Sequence, residues 1–129
     1  MRTLIVDDDF TNRLLLQTLL ARYGECHVAV NGKEAVEAFR LAQAEGRGYD
    51  LICMDLSMPE LDGHQAIQEI RRLEKTVGKL GNRVTIVVTT SSDDRDDVGM
   101  AQQEDCDGYL LKPIDVRRLK GLLRTHELM

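Results

Sequence analysis

In this sequence, acidic residues directly follow two apolar runs. The run at residues 3–6 is followed at once by Asp7 and Asp8, and the run at 51–54 is followed by Asp55. A carboxylate can bind a metal ion through its oxygens and can also act as a nucleophile. Carboxylates that converge without a cation repel each other. Because all of these ligands are oxygens, the pattern favours Mg²⁺, or Mn²⁺, over Zn²⁺.

Two further kinds of group extend this pattern. Lys112 follows the apolar run at 108–111, and the hydroxyl residues Thr89 and Thr90 end a β-branched run earlier in the chain. A metal ion, an ammonium and a hydroxyl around one carboxylate form a receptor for a phosphoryl group. In such a site Asp55 would be the nucleophile, and catalysis would rest on positioning and charge neutralisation.

The apolar periodicity predicts five strands, each followed by a helix. The predicted strands are residues 3–6, 26–30, 49–54, 83–89 and 108–111. The predicted helices are residues 11–23, 33–43, one that begins after the N-cap Asp62, a weakly apolar one at 91–103, and one that begins after Asp115. This alternation predicts a parallel sheet with helices on both faces, in the flavodoxin-like doubly wound form with strand order 2-1-3-4-5. In that order strands one and three are neighbours, so Asp7, Asp8 and Asp55 share one edge of the sheet.

Length and composition narrow the function classes. A chain of 129 residues is expected to form one domain with a substantial core. The net charge is −5 and no basic cluster stands out, which argues against direct nucleic-acid binding. No segment approaches the roughly 20 apolar residues of a spanning helix, so membrane insertion is not expected. Three widely spaced cysteines suit reduced thiols and a cytoplasmic location.

Four motifs in order resemble those of the receiver domain of bacterial two-component response regulators, of the chemotaxis-regulator type. They are residues 6–9, 55–63, 88–91 and 109–113, and the resemblance covers nearly the whole chain. Any one of these motifs is weak. Together, and in register with five predicted strand–helix units, they are specific.

The resemblance implies a role for each acidic residue. Asp55 would be the phosphoacceptor, and Mg²⁺ would be held by Asp7, Asp8 and Asp55 together with the backbone carbonyl of Ser57. Asp9 would cap the first helix rather than bind the metal. The protein would not be an enzyme acting on a separate substrate, but a phosphoacceptor that assists its own phosphorylation and dephosphorylation.

The resemblance also implies a switch. Lys112 would pair with the phosphoryl oxygens, and Thr90 would be the hydroxyl that moves toward them, since the spacing from Lys112 selects Thr90 over Thr89. Tyr109 would swing between outward and inward rotamers as Thr90 moves. The output surface would be formed by the helix at 91–103, the fifth strand and the last helix.

The implied partners are proteins. A sensor histidine kinase or a histidine phosphotransfer protein would supply the phosphoryl group, and a downstream protein target would read it. We expect a single receiver domain over residues 1–129 with no output domain, as a monomer or a dimer favoured by phosphorylation. The alternative within this class is a receiver module cut from a larger response regulator or hybrid kinase.

Other interpretations of the same residues are less favourable. A magnesium-dependent aspartyl-phosphate phosphatase needs a second Asp two residues after the nucleophile, where this chain has Ser57. A flavin- or nucleotide-binding module needs a phosphate loop after the first strand, where this chain has acids. The three histidines are expected at the surface, and Cys53 is expected in the core near Asp55. The histidines are His27, His64 and His126.

Overall fold

The computed structural model describes residues 1–56, 63–76, 83–90 and 106–128. The strands are β1 (Arg2–Val6), β2 (Glu25–Ala29), β3 (Leu51–Asp55), β4 (Thr85–Thr90) and β5 (Gly108–Leu111). The helices of these ranges are α1 (Phe10–Leu20), α2 (Gly32–Ala44), α3 (Gly63–Thr76) and α4 (Val116–Thr125), and a 3₁₀ turn (Ala21–Tyr23) continues α1. The predicted helix at 91–103, the predicted N-cap Asp62 and Ser57 lie outside the described residues.

The strands form one parallel sheet in the order β2-β1-β3-β4-β5, so the predicted flavodoxin-like fold and strand order are confirmed. β1 and β3 are direct neighbours, with Val6 opposite Met54. β4 lies on the other side of β3, with Thr89 opposite Asp55. The carboxyl ends of β1, β3 and β4 therefore meet at one edge of the sheet.

The core consists of two layers, because alternate residues of the central strands point to opposite faces. One layer packs against α2 and α3, and its strand residues are Leu4, Val6, Ile52, Met54, Ile86 and Val88. The other packs against α1 and α4, and its strand residues are Ile5, Leu51, Cys53, Val87 and Leu110. Since both faces of β3 are covered, all five of its residues are buried, including Asp55.

The helix boundaries follow local capping chemistry. The Asp9 carboxylate accepts hydrogen bonds from the backbone N–H groups of Thr11 and Asn12, as expected for an N-cap. Asp115 caps α4 in the same way. α1 ends at Leu20, three residues before its predicted end, and the chain continues as the 3₁₀ turn before Gly24. Gly24 has a φ of +148°, and a Cβ atom there would lie 1.8 Å from the Met1 carbonyl oxygen. A side chain at this position would clash, so the helix ends here.

Two expectations about surface and core are corrected. His64, expected at the surface, is buried in the first turn of α3 with 9% of its surface exposed. The periodicity of the first helix also predicts an apolar stripe formed by Leu14, Leu15, Leu16, Leu19 and Leu20, yet Leu14 and Leu15 are 52% and 38% exposed. Only Leu16 and Leu20 of α1 are buried. No helix in the described ranges is long and apolar enough to span a membrane.

A buried ionic network joins α3 to the amino ends of β4 and β5. The Arg71 guanidinium donates to Glu74 at 2.8 Å, to the Val84 carbonyl at 2.8 Å and to Asp107 at 3.0 Å, and the Arg71 side chain is only 8% exposed. Glu74 accepts the Val84 N–H at 2.7 Å, and Asp107 accepts the Ile86 N–H at 2.8 Å. Each carboxylate is thus bonded both to the guanidinium and to the backbone.

Replacing Arg71 by Met is expected to lower the free energy of unfolding by about 3–5 kcal/mol, because two partly buried carboxylates lose their shared cation. Urea unfolding measures this change. Arg72→Met is the matched control, since Arg72 pairs with Glu69 on the exposed face of the same helix and such pairs contribute about 0–1 kcal/mol. Equal losses for the two variants would contradict a stabilising role of the network.

Candidate functional site

Three carboxylates meet where β1 and β3 end. Asp7 follows β1 directly, Asp55 is the last residue of β3, and Asp8 lies beside Asp7. One carboxylate oxygen from each lies within 4.8 Å of the other two. Asp7 and Asp55 are 0% and 1% exposed, whereas Asp8 is exposed. The site is therefore an acidic pocket in which the Asp7 and Asp55 carboxylates are buried and the Asp8 carboxylate is exposed to solvent.

Lys112 lies between the two buried carboxylates. Its ammonium is 3.0 Å from Asp7 Oδ2 and 3.2 Å from Asp55 Oδ2. Lys112 directly follows β5, and its backbone N–H donates to the Thr90 carbonyl oxygen at 2.8 Å, which anchors the lysine to the end of β4. The peptide bond between Lys112 and Pro113 is cis.

The neighbours of Lys112 stabilise the charged form of its ammonium group. Burial disfavours the charged ammonium, but the close polar contact with Asp7 and the negative charges of Asp55 and Asp7 outweigh burial, so the pKa of Lys112 is raised above its ordinary value. The lysine therefore remains a cation over the whole physiological pH range. One such cation cannot balance the charge of the three carboxylates around it.

The donor set fits a hard divalent cation. All three side chains offer oxygen ligands, and the open side at Asp8 leaves room for water molecules, which Mg²⁺ usually retains. Asp7 Oδ2 is buried and accepts no well-aligned hydrogen bond within the described structure, although the Lys112 ammonium lies beside it. A buried oxygen in this condition is expected to gain from a metal ligand bond. The predicted fourth protein ligand, the Ser57 carbonyl, lies outside the described residues.

Arg13 supports the acidic loop, and the sequence analysis did not identify it. Its guanidinium donates to the Asp7 carbonyl oxygen at 2.9 Å, while Asp7 Oδ1 accepts the Asp9 N–H at 2.8 Å. The Arg13 contact holds the Asp7 backbone, and the Asp9 N–H orients the Asp7 carboxylate. The available signal was the spacing, because a helical side chain four residues after an N-cap points back over the preceding loop.

Gly63 lies against the backbone that carries Asp55. It is the first residue of α3, and a Cβ atom there would be 2.4 Å from the Asp55 carbonyl oxygen and 2.8 Å from the Leu56 Cα atom. Gly63 ends the sequence motif at residues 55–63, but nothing in that motif indicates this contact. The close approach explains why glycine is required at this position.

The remaining predicted residues lie around the same edge. Thr90 is the last residue of β4 and is completely buried, and Thr89 lies opposite Asp55 with a buried hydroxyl. Tyr109 lies on β5 with 43% of its surface exposed. Cys53 is buried on β3, and burial, with a smaller effect of Cys26, raises the pKa of its thiol to about 12. Cys53 is thus a core residue, as expected.

This arrangement can bind and transfer an anionic electrophile. Among the described residues, β1, β4 and the Lys112 side chain flank the Asp55 carboxylate, and Asp8 is the exposed member of the acidic cluster. A phosphoryl group entering there would meet a carboxylate nucleophile, a fixed ammonium and a metal-binding acid pair. Charge neutralisation and positioning are the main requirements of phosphoryl transfer.

Comparison with known proteins agrees with this chemistry. The family model described as the response regulator receiver domain matches residues 3–124. The chain is 33% identical, over 98% of its length, to hybrid signal transduction histidine kinase G of Dictyostelium discoideum. The chain covers only 4% of that protein and 12% of each of two Pseudomonas sensor proteins that it also matches.

Two solved structures extend the comparison. The receiver domain of the histidine kinase CKI1 from Arabidopsis thaliana, complexed with Mg²⁺ and BeF3⁻, is 29% identical with a TM-score of 0.81, over 99% of this chain and 90% of that one. The receiver domain of Ssk1 from Saccharomyces cerevisiae, in complex with the histidine phosphotransfer protein Ypd1, is 33% identical with a TM-score of 0.78, over 93% of this chain and 83% of that one. The relatives thus include eukaryotic proteins, and the resemblance is not restricted to bacteria.

Gly63→Ala is expected to lower the free energy of unfolding by about 1–3 kcal/mol and to shift the amide NMR signals of Asp55 and Leu56, because the added methyl group overpacks the end of β3. Gly121→Ala is the matched control. It lies in α4 with no atom within 4 Å of an added Cβ, so it should stabilise by up to about 1 kcal/mol. If alanine at 63 leaves stability and those signals unchanged, the close approach does not constrain the site.

Proposed function

This chain belongs to the response regulator receiver domain family, and on that premise we propose that it accepts a phosphoryl group on Asp55 and signals its presence to other proteins. The observation that carries the proposal is the pair of buried carboxylates, Asp7 and Asp55, on either side of the Lys112 ammonium. The protein is a phosphoacceptor that assists its own modification, and it acts in the cytoplasm, where its three free cysteines remain reduced.

The division of roles follows from the position of each side chain. An Asp55 carboxylate oxygen attacks the phosphorus atom and forms an acyl phosphate, while the bond from phosphorus to the donor nitrogen breaks. Lys112 is already 3.2 Å from Asp55 Oδ2, so its ammonium can follow the transferred phosphoryl oxygens. Asp7, Asp8 and Asp55, with the Ser57 backbone carbonyl, would hold Mg²⁺ or Mn²⁺, which would neutralise charge on the phosphoryl group.

The same site supports a switch. Phosphorylation adds about −1.5 to −2 charges and new acceptor oxygens beside Asp55. We assign Thr90, at the end of the neighbouring strand, as the hydroxyl that donates to them. Because the Thr90 carbonyl accepts the Lys112 N–H at 2.8 Å, a shift of Thr90 is transmitted to the start of the segment after β5. Tyr109, on β5 itself, is exposed and has room to change rotamer in response.

The phosphodonor docks on α1. Phe10, Leu14 and Leu15 are 67%, 52% and 38% exposed, so the first half of α1 presents an apolar surface next to the acidic pocket. Exposed apolar residues clustered beside a reactive site are typical of protein contact surfaces. Ssk1, a relative, is found in complex with a histidine phosphotransfer protein. We assign this surface to such a protein, or to the corresponding domain of a sensor histidine kinase.

The downstream target binds on another side of the molecule. Tyr109, Leu111 and Val116 are all more than a third exposed on β5 and at the start of α4. They adjoin the segment that follows Lys112, so a shift of that segment changes the surface they form. The predicted contribution of residues 91–103 lies outside the described part of the chain. The same surface would form the contact of a phosphorylation-favoured dimer.

Incubation with acetyl phosphate and Mg²⁺ is expected to add one phosphoryl group to the wild-type protein, as measured by intact mass. Asp55→Asn should gain none, because the amide is not a nucleophile, and chelation of the metal should abolish the gain in the wild type. Asp50→Asn is the control, since Asp50 is an exposed carboxylate at the other edge of the sheet, where it accepts the Arg2 N–H. Equal phosphorylation of Asp55→Asn would exclude Asp55 as the acceptor.

Leu14→Glu is expected to slow phosphotransfer from a phosphorylated histidine phosphotransfer protein about tenfold or more, because a charge is placed within the apolar docking surface. Phosphorylation by acetyl phosphate should change little, since this small donor does not contact α1. Leu41→Glu provides the control, because Leu41 is 50% exposed on α2. Equal slowing by both variants, or slowing with both donors, would rule out α1 as the docking surface.

A further inference from the structure

Seven of the fifteen cations in the described residues are paired with carboxylates. The paired cations are Arg2, Arg40, Arg47, Arg71, Arg72, Arg83 and Lys112. Of the eight without a carboxylate within salt-bridge distance in the described part of the chain, Arg13, Lys33 and Lys75 lie on α1, α2 and α3, and the other five lie on α4 and on the 3₁₀ turn after α1: Arg22, Arg117, Arg118, Lys120 and Arg124. No basic cluster was predicted from the sequence, although four of these five are close together in it, and the fold brings Arg22 to the same groove as Lys120.

Two of these cations border an apolar groove between α1 and α4. Leu19, Tyr23, Leu119 and Leu123 form its apolar lining, and Arg22 and Lys120 lie at its edges. The cavity has a volume of about 140 Å³. Val116, at the same groove, is 37% exposed. The groove thus combines an apolar interior with a positively charged border, in a chain whose net charge is −5.

The size and charge of the groove restrict its occupant. Small-molecule sites are usually about 300–1,000 Å³, so this cavity suits one apolar side chain anchored from outside better than a whole small ligand. The unpaired cations Arg22 and Lys120 at the groove favour an occupant that carries carboxylates next to this apolar side chain. A flat bilayer surface would contact the convex helices rather than the lining between them. Tyr23 is the sole aromatic residue at the groove, which gives no platform for stacking successive bases.

We propose that the groove between α1 and α4, bordered by Arg22 and Lys120, binds an acidic amphipathic segment of a partner protein. An apolar side chain of the segment fills the cavity, and its carboxylates pair with the cations of α4 and with Arg22. None of the described residues that line the groove belongs to the acidic pocket or to the exposed apolar surface at the start of α1, and only Val116 is shared with the surface formed by Tyr109, Leu111 and Val116.

The probe for this proposal is a short helical peptide with Leu along one face and Glu along the other, titrated into the isotopically labelled full chain. Amide NMR shifts are expected at Leu19, Tyr23, Leu119 and Leu123. A peptide of the same pattern with Lys in place of Glu should bind more weakly than the acidic peptide. Equal binding of the two peptides, absence of binding, or shifts confined to other parts of the molecule would overturn the proposal.

Charge reversal supplies the second comparison. The double variant Arg22→Glu and Lys120→Glu is expected to bind the acidic peptide about tenfold more weakly, because two attractive contacts become repulsive. The control Lys33→Glu and Lys75→Glu makes the same change in net charge at exposed lysines of α2 and α3 and should keep its affinity. If the control loses as much affinity, the attraction comes from net charge and the groove is not the site.

Two further measurements complete the test. Phosphorylation by acetyl phosphate should proceed at the wild-type rate in both double variants, which verifies that they fold. Vesicles containing phosphatidylglycerol serve as an alternative anionic surface. If the vesicles bind through Arg22 and Lys120 while the peptide does not, the groove region is a membrane contact and the proposal fails.

Discussion

The rest of the site depends on one constraint. Two neighbouring strands, β1 and β3, bring the carboxylates of Asp7 and Asp55 together, and these carboxylates repel each other. Asp7 and Asp55 are almost completely buried side by side, where unbalanced negative charge is costly. Lys112 reaches between them from the end of β5 and offsets part of that cost. The remaining negative charge favours a cation in the pocket, and in the proposed function that cation makes the pocket receptive to a phosphoryl group. The proposed reactivity of Asp55 therefore depends on three strand ends together.

Much of this could be predicted from the sequence. Alternating apolar runs and helical periodicity indicated the five strands and their order, and that order alone placed Asp7 beside Asp55. Helix caps such as Asp9 and Asp115 could be identified because capping depends on residues close in sequence.

Other features depend on contacts between distant segments, which no local pattern encodes. The requirement for glycine at position 63 arises from its approach to the Asp55 backbone, and the burial of His64 follows from the way α3 packs. Leu14 and Leu15 are part of the apolar stripe of α1 in the sequence, but only Leu16 and Leu20 of this helix are buried against the sheet. Leu14 and Leu15 are exposed apolar residues that the packing of α1 does not use. We therefore expect them to have a function, such as binding another protein.

The Arg71 network has a consequence for how the molecule can move. It ties the residues that precede β4 and β5 to α3, at the edge of the sheet opposite Asp55. Because the amino ends of β4 and β5 are held by these hydrogen bonds, we expect a change at Thr90 or Lys112 to displace the carboxyl ends of the two strands, beside Asp55, more than their amino ends.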